Sequence, residues 1–329
     1  MARIRFTHTY DSIISLENLL GAWREFIVGK HQRKDVQEFE RNLMSNIISL
    51  HNDLVARTYR HRGYEAFNIS DPKPRNIHKA SVRDRLLHRA IYRQLYPFFD
   101  RTFIPDSYSC RYDKATHKAI RKLKRFVWQL SNNRKETVWV LKCDIRKFFA
   151  SIDHGILLSI LEKYIEDQNI IHLFRLILQS FSVREGIGLP LGNLTSQLLV
   201  NIYLNEFDQF VKHRLKARYY IRYADDFVIL EKDKARLGEI LSEIKTFLSE
   251  RLKLELHPDK VSVRTIFSGV DFLGWVHFPN HRVLRTTTKR RMIRNLKAKQ
   301  GNGAVKQSYL GLLSHGNTKK LQNKIMDDL

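Results

Sequence analysis

The tetrapeptide Tyr223-Ala224-Asp225-Asp226 constrains this chain more than any other stretch. It stands between two apolar runs, Tyr219-Tyr220-Ile221 and Phe227-Val228-Ile229-Leu230. Both runs are aromatic or β-branched, types that fit a pleated surface, so they predict strands, and the short link predicts a tight hairpin. Two carboxylates at a buried hairpin tip are costly without a cation. Mg²⁺ suits them, because it is a hard ion that takes oxygen ligands and keeps positions open for substrate phosphates. An Asp-rich surface turn has the same pattern, so the hairpin alone leaves both readings open.

A third carboxylate separates them. Val138 to Cys143 reads as another short apolar strand, and Asp144 follows directly. Two strands of one sheet can bring Asp144 beside Asp225 and Asp226. Three carboxylates can hold two Mg²⁺ ions roughly 4 Å apart. One would activate a primer 3′-hydroxyl; the other would hold a triphosphate and the leaving pyrophosphate.

Composition points the same way. The 329 residues carry a formal net charge of +24, a field that favours polyanions and says nothing about fold. The hydrophobic content of 43% is enough for a sizeable core or several subdomains. No run of about 18 apolar residues and no secretory leader is seen, which predicts a soluble cytoplasmic protein with no membrane partner. Cys110 and Cys143 are too few for a structural zinc site and are expected as reduced thiols. His154 and His257 lack partners at metal spacing, and His315 reads as a packing or capping residue.

Apolar spacing predicts helices within residues 11–60, then over 81–97 and about 114–130, the last studded with Lys and Arg. Such a face is either solvated or in contact with nucleic acid. Pro72-Lys73-Pro74 marks a loop, as do Gly186, Gly188, Pro190 and Gly192. Helices are predicted over Leu194–Asp208 and Lys234–Leu252, with a strand near Leu254 to Leu256. No acidic residue occurs between Asp271 and Asp327, a span that holds Arg282, Arg285, Arg290, Arg291 and Arg294.

Asp144 with Phe148-Phe149, and the Tyr223–Asp226 box, resemble the two catalytic motifs of reverse transcriptases. The similarity continues in order. Lys73-Pro74-Arg75 with Asp84-Arg85 resembles the first fingers motif, and Ser107 to Arg111 the second. Gly188 to Gln197 is similar to the template-contacting segment, His257-Pro258-Asp259-Lys260 to the lysine motif of the palm, and Phe272-Leu273-Gly274-Trp275 to the primer grip. The resemblance runs from about residue 60 to about 280 and implies an α+β right-hand polymerase with an antiparallel palm sheet and a helical thumb. The N-terminal extension and fingers would take 1–136 and part of 155–195, the palm 137–265, and the primer grip and thumb 266–329.

The resemblance also implies roles. Asp144, Ile145, Asp225 and Asp226 would hold two Mg²⁺. Lys73, Arg75, Arg111, Phe149, Leu191 and Lys260 would meet the dNTP. Gly192, Ser196, Gln197, Phe272, Leu273, Gly274, Arg290 and Arg291 would meet template and primer. Phe149 would exclude a 2′-hydroxyl by bulk; the rival reading is a core phenylalanine beside Phe148. The cations compete with a reading as ordinary exposed charges, and Lys260, the family's donor to pyrophosphate, with a strand-end lysine.

Group II intron and retroviral-type enzymes usually carry a glutamine before the glycine of the template-contacting motif and a proline after its serine. Leu191-Gly192-Asn193-Leu194-Thr195-Ser196-Gln197 has neither. It resembles instead the reverse transcriptases of diversity-generating retroelements, which copy template adenines inaccurately. That subfamily implies a structured template-repeat RNA, its cDNA and a small basic accessory variability determinant protein as partners. Rival readings are a group II intron maturase-like enzyme, an antiphage reverse transcriptase and a catalytically idle RNA-binding scaffold.

Overall fold

The computed structural model describes residues 4–70, 74–298 and 302–328. In chain order the elements begin with helices α1 (Tyr10–Ile14), α2 (Leu16–Ile27), α3 (Lys34–Arg41) and α4 (Leu43–Val55), strands β1 (Tyr64–Ile69) and β2 (Arg75–Ala80), and helices α5 (Val82–Asp100) and α6 (Thr116–Leu130). Then come β3 (Trp139–Asp144), α7 (His154–Glu162), α8 (Gln168–Gln179), α9 (Leu194–Gln209), β4 (Tyr220–Tyr223), β5 (Asp226–Glu231) and α10 (Lys234–Leu252). The last are β6 (Ser262–Thr265), β7 (Val270–Phe272), β8 (Trp275–His277), β9 (Arg282–Leu284), α11 (Thr286–Ala298), α12 (Gly303–Leu313) and α13 (Lys319–Asp328). Helices and antiparallel sheets are mixed along the chain, which makes it α+β. No described helix is long and apolar enough to cross a membrane.

Two compact units form. One gathers Met1–Pro105, Arg146–Arg214 and Thr246–Glu255; the other gathers Asp106–Ile145, Leu215–Lys245 and Leu256–Leu329. Residues 137–265 contribute to both.

The first unit is mainly helical. Ser15 caps α2 by accepting from the Asn18 N–H, and Leu19, Ala22, Trp23 and Phe26 are buried at helix spacing. Ser81 caps α5 in the same way, accepting from the Asp84 N–H. The Asp84 carboxylate is fully buried, yet it accepts from Tyr59 Oη (2.8 Å), Ser81 Oγ (2.6 Å) and the Arg62 N–H (3.2 Å). A buried charge held by so many donors is stable where a bare one is not. Strands β1 and β2 pair antiparallel, Tyr64 opposite Ala80. The sequence marks only a proline-bounded loop there, because both strands are largely exposed and lack a clean apolar alternation.

The second unit is built on a four-stranded antiparallel sheet in the order β4-β5-β3-β6. Val140, Ile221, Val228 and Leu230 cluster with Leu123, Phe126, Val127 and Leu130 of α6. A three-stranded sheet, β7-β8-β9, follows. Trp275, Leu284, Met292, Leu296, Leu313 and Ile325 form the core of the C-terminal helices. The strand expected near Leu254 to Leu256 does not form. Leu256 makes an isolated bridge to Ile145, and the His257 N–H donates to Asp144 O (2.8 Å). The 3-10 turn Pro258–Lys260 then redirects the chain, so Ser262–Thr265 supplies the fourth strand.

Candidate catalytic carboxylate site

Strand β4 ends at Tyr223 and β5 starts at Asp226, and the two residues pair. Ala224 and Asp225 therefore make a two-residue hairpin loop. Its first position, Ala224, has φ +54°, as the tight hairpins that match strand twist require. On the other side of β5, Asp144 of β3 lies directly opposite Asp226. Directly opposed residues share a sheet face, and like charges so placed are unfavourable. The Ile145 N–H donates to Asp225 O (3.1 Å), which ties the hairpin tip to the end of β3. All three aspartates thus gather at one end of the sheet. The same face is apolar further along, at Val140 and Leu230 beneath α6.

Two ammonium groups stand at these carboxylates. Lys260 Nζ donates to Asp144 Oδ1 at 2.9 Å. Lys142 Nζ lies 3.4 Å from Asp226 Oδ1, an ion-pair distance. That oxygen is closed off from solvent and makes no hydrogen bond of good geometry. Burial pushes the Asp226 carboxyl up to about 7; Asp144 and Asp225 push the same way and Lys142 opposes them. Among the described residues no three His, Cys, Asp or Glu side chains are gathered closely enough to hold a metal ion as they stand. The chemistry of the donors still suits one. They are hard oxygen ligands, one has an orphaned buried oxygen, and their mutual repulsion calls for positive charge.

The other expected site residues lie on several elements, in both units. Lys73 lies outside the described residues. Arg75 is exposed at the start of β2. Arg111 is half-buried and donates from Nη1 to Ser107 O (3.0 Å). Phe149 is half-buried and edge-on to Phe148, with ring centroids 5.7 Å apart. Leu191 O accepts from the His78 N–H (2.9 Å), and Gly192 has φ +102° with the Ile77 side chain where a Cβ would stand. Ser196 is buried and Gln197 half-buried in the first turn of α9. Phe272 is fully buried in the core beneath α6. Leu273 and Gly274 form the β7–β8 turn, both at positive φ. Arg290 is exposed and Arg291 half-buried on α11.

Three residues at these places escaped sequence reasoning. Lys142 had a usable signal, since two residues before Asp144 on one strand means the same face. Asn193 ties its segment to β2 by donating from Nδ2 to His78 O (2.8 Å). Arg222 is 1% exposed, donates from Nη1 to Ala224 O (3.2 Å) and from Nη2 to Ser107 Oγ (3.2 Å), and so braces the hairpin from below. Neither Asn193 nor Arg222 has a local sequence signature that marks it.

Residues 70–277 match the family described as reverse transcriptase (RNA-dependent DNA polymerase). Protein YkfC of Escherichia coli is 29% identical over 258 residues, which cover 67% of this chain and 66% of that protein. The group II intron-encoded protein LtrA of Lactococcus lactis subsp. cremoris is 25% identical over 301 residues, 71% of this chain and 48% of that protein. The chain thus spans less than two thirds of the length of either. Among solved structures, telomerase from Candida albicans in complex with a fragment of telomeric RNA overlays with a TM-score of 0.50 at 12% identity, covering 76% of this chain and 54% of that one; this likeness speaks for the fold alone. The family match takes in more than half of the chain, including the strand that ends at Asp144 and the Tyr223–Asp226 hairpin, and the chain belongs to the reverse transcriptase (RNA-dependent DNA polymerase) family.

Proposed function

We propose that this chain synthesises DNA on an RNA template by nucleotidyl transfer, as the polymerase of a diversity-generating retroelement acting in the cytoplasm. The observation that carries the catalytic part is the antiparallel register setting Asp144 opposite Asp226, with Asp225 at the adjoining hairpin tip. In the reaction the primer 3′-oxygen attacks the α-phosphorus of a dNTP. The bond to the β-phosphate breaks, pyrophosphate leaves and the hydroxyl proton is lost. Two Mg²⁺ ions, when bound, supply activation of the hydroxyl and neutralisation of the leaving group. Asp144, Asp225 and Asp226 would hold them, with the Ile145 backbone alongside. Lys260, which donates to Asp144 Oδ1 at 2.9 Å, would leave that carboxylate for the departing phosphate and give it a proton. Lys142 offsets the carboxylate repulsion on the same face.

In this reading 137–265 serves as palm, 266–329 as primer grip and thumb, and 1–136 with part of 155–195 as extension and fingers. Lys73, Arg75 and Arg111 serve the triphosphate, and Phe149 the sugar. Gly192, Ser196, Gln197, the Phe272–Gly274 turn, Arg290 and Arg291 serve template and primer. The subfamily assignment is supported by Leu191 and the Ser196-Gln197 ending. It brings a structured template RNA, its cDNA and a small basic accessory protein as partners. A second reading, an intron-encoded reverse transcriptase, is favoured by the relative from Lactococcus.

Sequencing of cDNA tests both. Leucine at 191 offers no amide to the nascent pair, so adenine errors should be frequent in wild-type cDNA. Leu191→Gln should lower them about tenfold, which corresponds to about 1.4 kcal/mol of transition-state discrimination. Few adenine errors from the wild-type chain supplied with its RNA and accessory protein would refute the retroelement reading and favour the intron-encoded one.

A further inference from the structure

Helix α6 buries Leu123, Phe126, Val127 and Leu130 and turns Arg121, Lys124, Arg125 and Trp128 outward. These four recur at spacings of three and four, so they form one stripe. Trp128 is 51% exposed. Its ring offers a flat apolar face among the cations, a surface on which a base can stack. The turn after α6 adds a fifth member. Asn132, Asn133 and Arg134 have φ of +47°, +57° and +74°. Three successive non-glycine residues in the left-handed region store strain. The turn is held by the Arg134 N–H donating to Ser131 Oγ (2.9 Å), and it sets Arg134 beside Trp128.

Two recesses open along this stripe. One, of about 290 Å³, is lined by Arg121, Lys124, Arg125, Trp128, Arg134 and Pro279. The other, of about 480 Å³, shares Arg121 and Lys124 and extends to Arg282. No Asp or Glu lines either one among the described residues. All of these residues belong to the second unit.

We propose that this face of α6 is a second nucleic-acid site, which stacks one base of single-stranded RNA on Trp128 and holds the flanking phosphates with Arg121, Lys124, Arg125 and Arg134. The proposal rests on the reading of the chain as an RNA-templated polymerase, and it places part of that RNA outside the carboxylate site. Charge complementarity selects a polyanion. The exposed indole among the cations selects unpaired bases, because a duplex buries its base faces while a single strand offers them for stacking. An acidic protein segment would satisfy the cations and leave the ring without a planar partner.

The test uses the full chain saturated with an unlabelled primer–template hybrid, and a fluorescein-labelled short oligo(rU) as probe. Trp128→Ala should weaken oligo(rU) binding about tenfold, as expected for loss of one stacked base. Trp128→Phe should keep most of the affinity, which separates stacking from a folding defect. Arg121→Glu with Arg125→Glu should lower the slope of log affinity against log salt by about 1.4, the loss of two single-strand phosphate contacts. Oligo(rU) affinity equal to wild type in Trp128→Ala and in the charge variant would overturn the proposal and leave the face to an acidic protein partner. Primer extension by the wild-type chain, run in parallel, separates the two readings. Extension together with unaltered oligo(rU) binding refutes only the α6 site, whereas absent extension refutes the polymerase reading itself.

Discussion

Replacing Arg222 by methionine should loosen the aspartate hairpin without touching an aspartate. Arg222 is 1% exposed, and its guanidinium donates to Ala224 O and Ser107 Oγ, each at 3.2 Å. Methionine has similar reach and removes these donors. Two terms oppose each other. Loss of the charged group recovers its desolvation cost, which by itself favours the variant. Against this, Ser107 is fully buried, so its hydroxyl is left with no water to replace the guanidinium. An orphaned buried polar group costs about 1–3 kcal/mol. Ala224 is half-buried and its carbonyl can find water, so its loss weighs less in stability. Its effect falls on geometry, since Ala224 sits at φ +54° next to Asp225. We therefore expect about 2 kcal/mol of destabilisation in urea denaturation. Primer extension should fall about tenfold to a hundredfold, the usual effect of losing a residue that orients metal ligands. The Mg²⁺ concentration for half-maximal rate should rise, which a purely structural loss would not produce. Adding Ser107→Ala to Arg222→Met should restore about 1 kcal/mol, because the orphaned hydroxyl is gone. A variant with wild-type stability, extension rate and Mg²⁺ dependence would show that Arg222 does not hold the hairpin.

Other consequences can be measured directly. Asp225→Asn removes charge at constant volume, so dNTP incorporation should drop at least about a thousandfold, or about 4 kcal/mol in the barrier, while RNA binding in a filter assay stays nearly intact; near-normal incorporation would exclude Asp225 from the site. Phe149→Val should raise ribonucleotide incorporation relative to deoxynucleotide on one template, and an unmoved ratio would make Phe149 a packing residue. His88 is buried, and burial, with His61 adding, lowers it to about 3. The folded state therefore keeps it neutral while the unfolded chain takes a proton below about 6.5. Its contribution is complete above pH 6.5 and is lost as pH falls, by about 1.4 kcal/mol per unit until about pH 3. Urea melts at pH 7 and pH 5.5 should show a smaller acid loss in His88→Gln than in wild type; equal losses would mean His88 already takes up a proton in the fold.

Much of the local structure was legible in the sequence. The sequence pattern predicts the helix Lys234–Leu252 to the residue, and Leu194–Gln209 to within one. The apolar runs around Tyr223–Asp226 and before Asp144 form the paired strands. Periods of 3.6 and 2 are written by each segment alone, so they survive without knowledge of partners. The exposed hairpin β1–β2 was missed for the complementary reason, since strands that bury little write little alternation.

What sequence alone could not decide is which strands meet and in what register. Period two says which face Asp144 and Asp226 occupy, but only long-range hydrogen bonds set one opposite the other. The same bonds rejected Leu254–Leu256 as a strand and chose Ser262–Thr265. They also carry Lys260 to Asp144 across 116 residues of chain. Arg222 shows the limit most clearly. In the sequence it is one more of 58 basic residues. Only the folded chain closes it away from water, where Ser107 and the hairpin turn, brought together from distant parts of the sequence, each give it an acceptor.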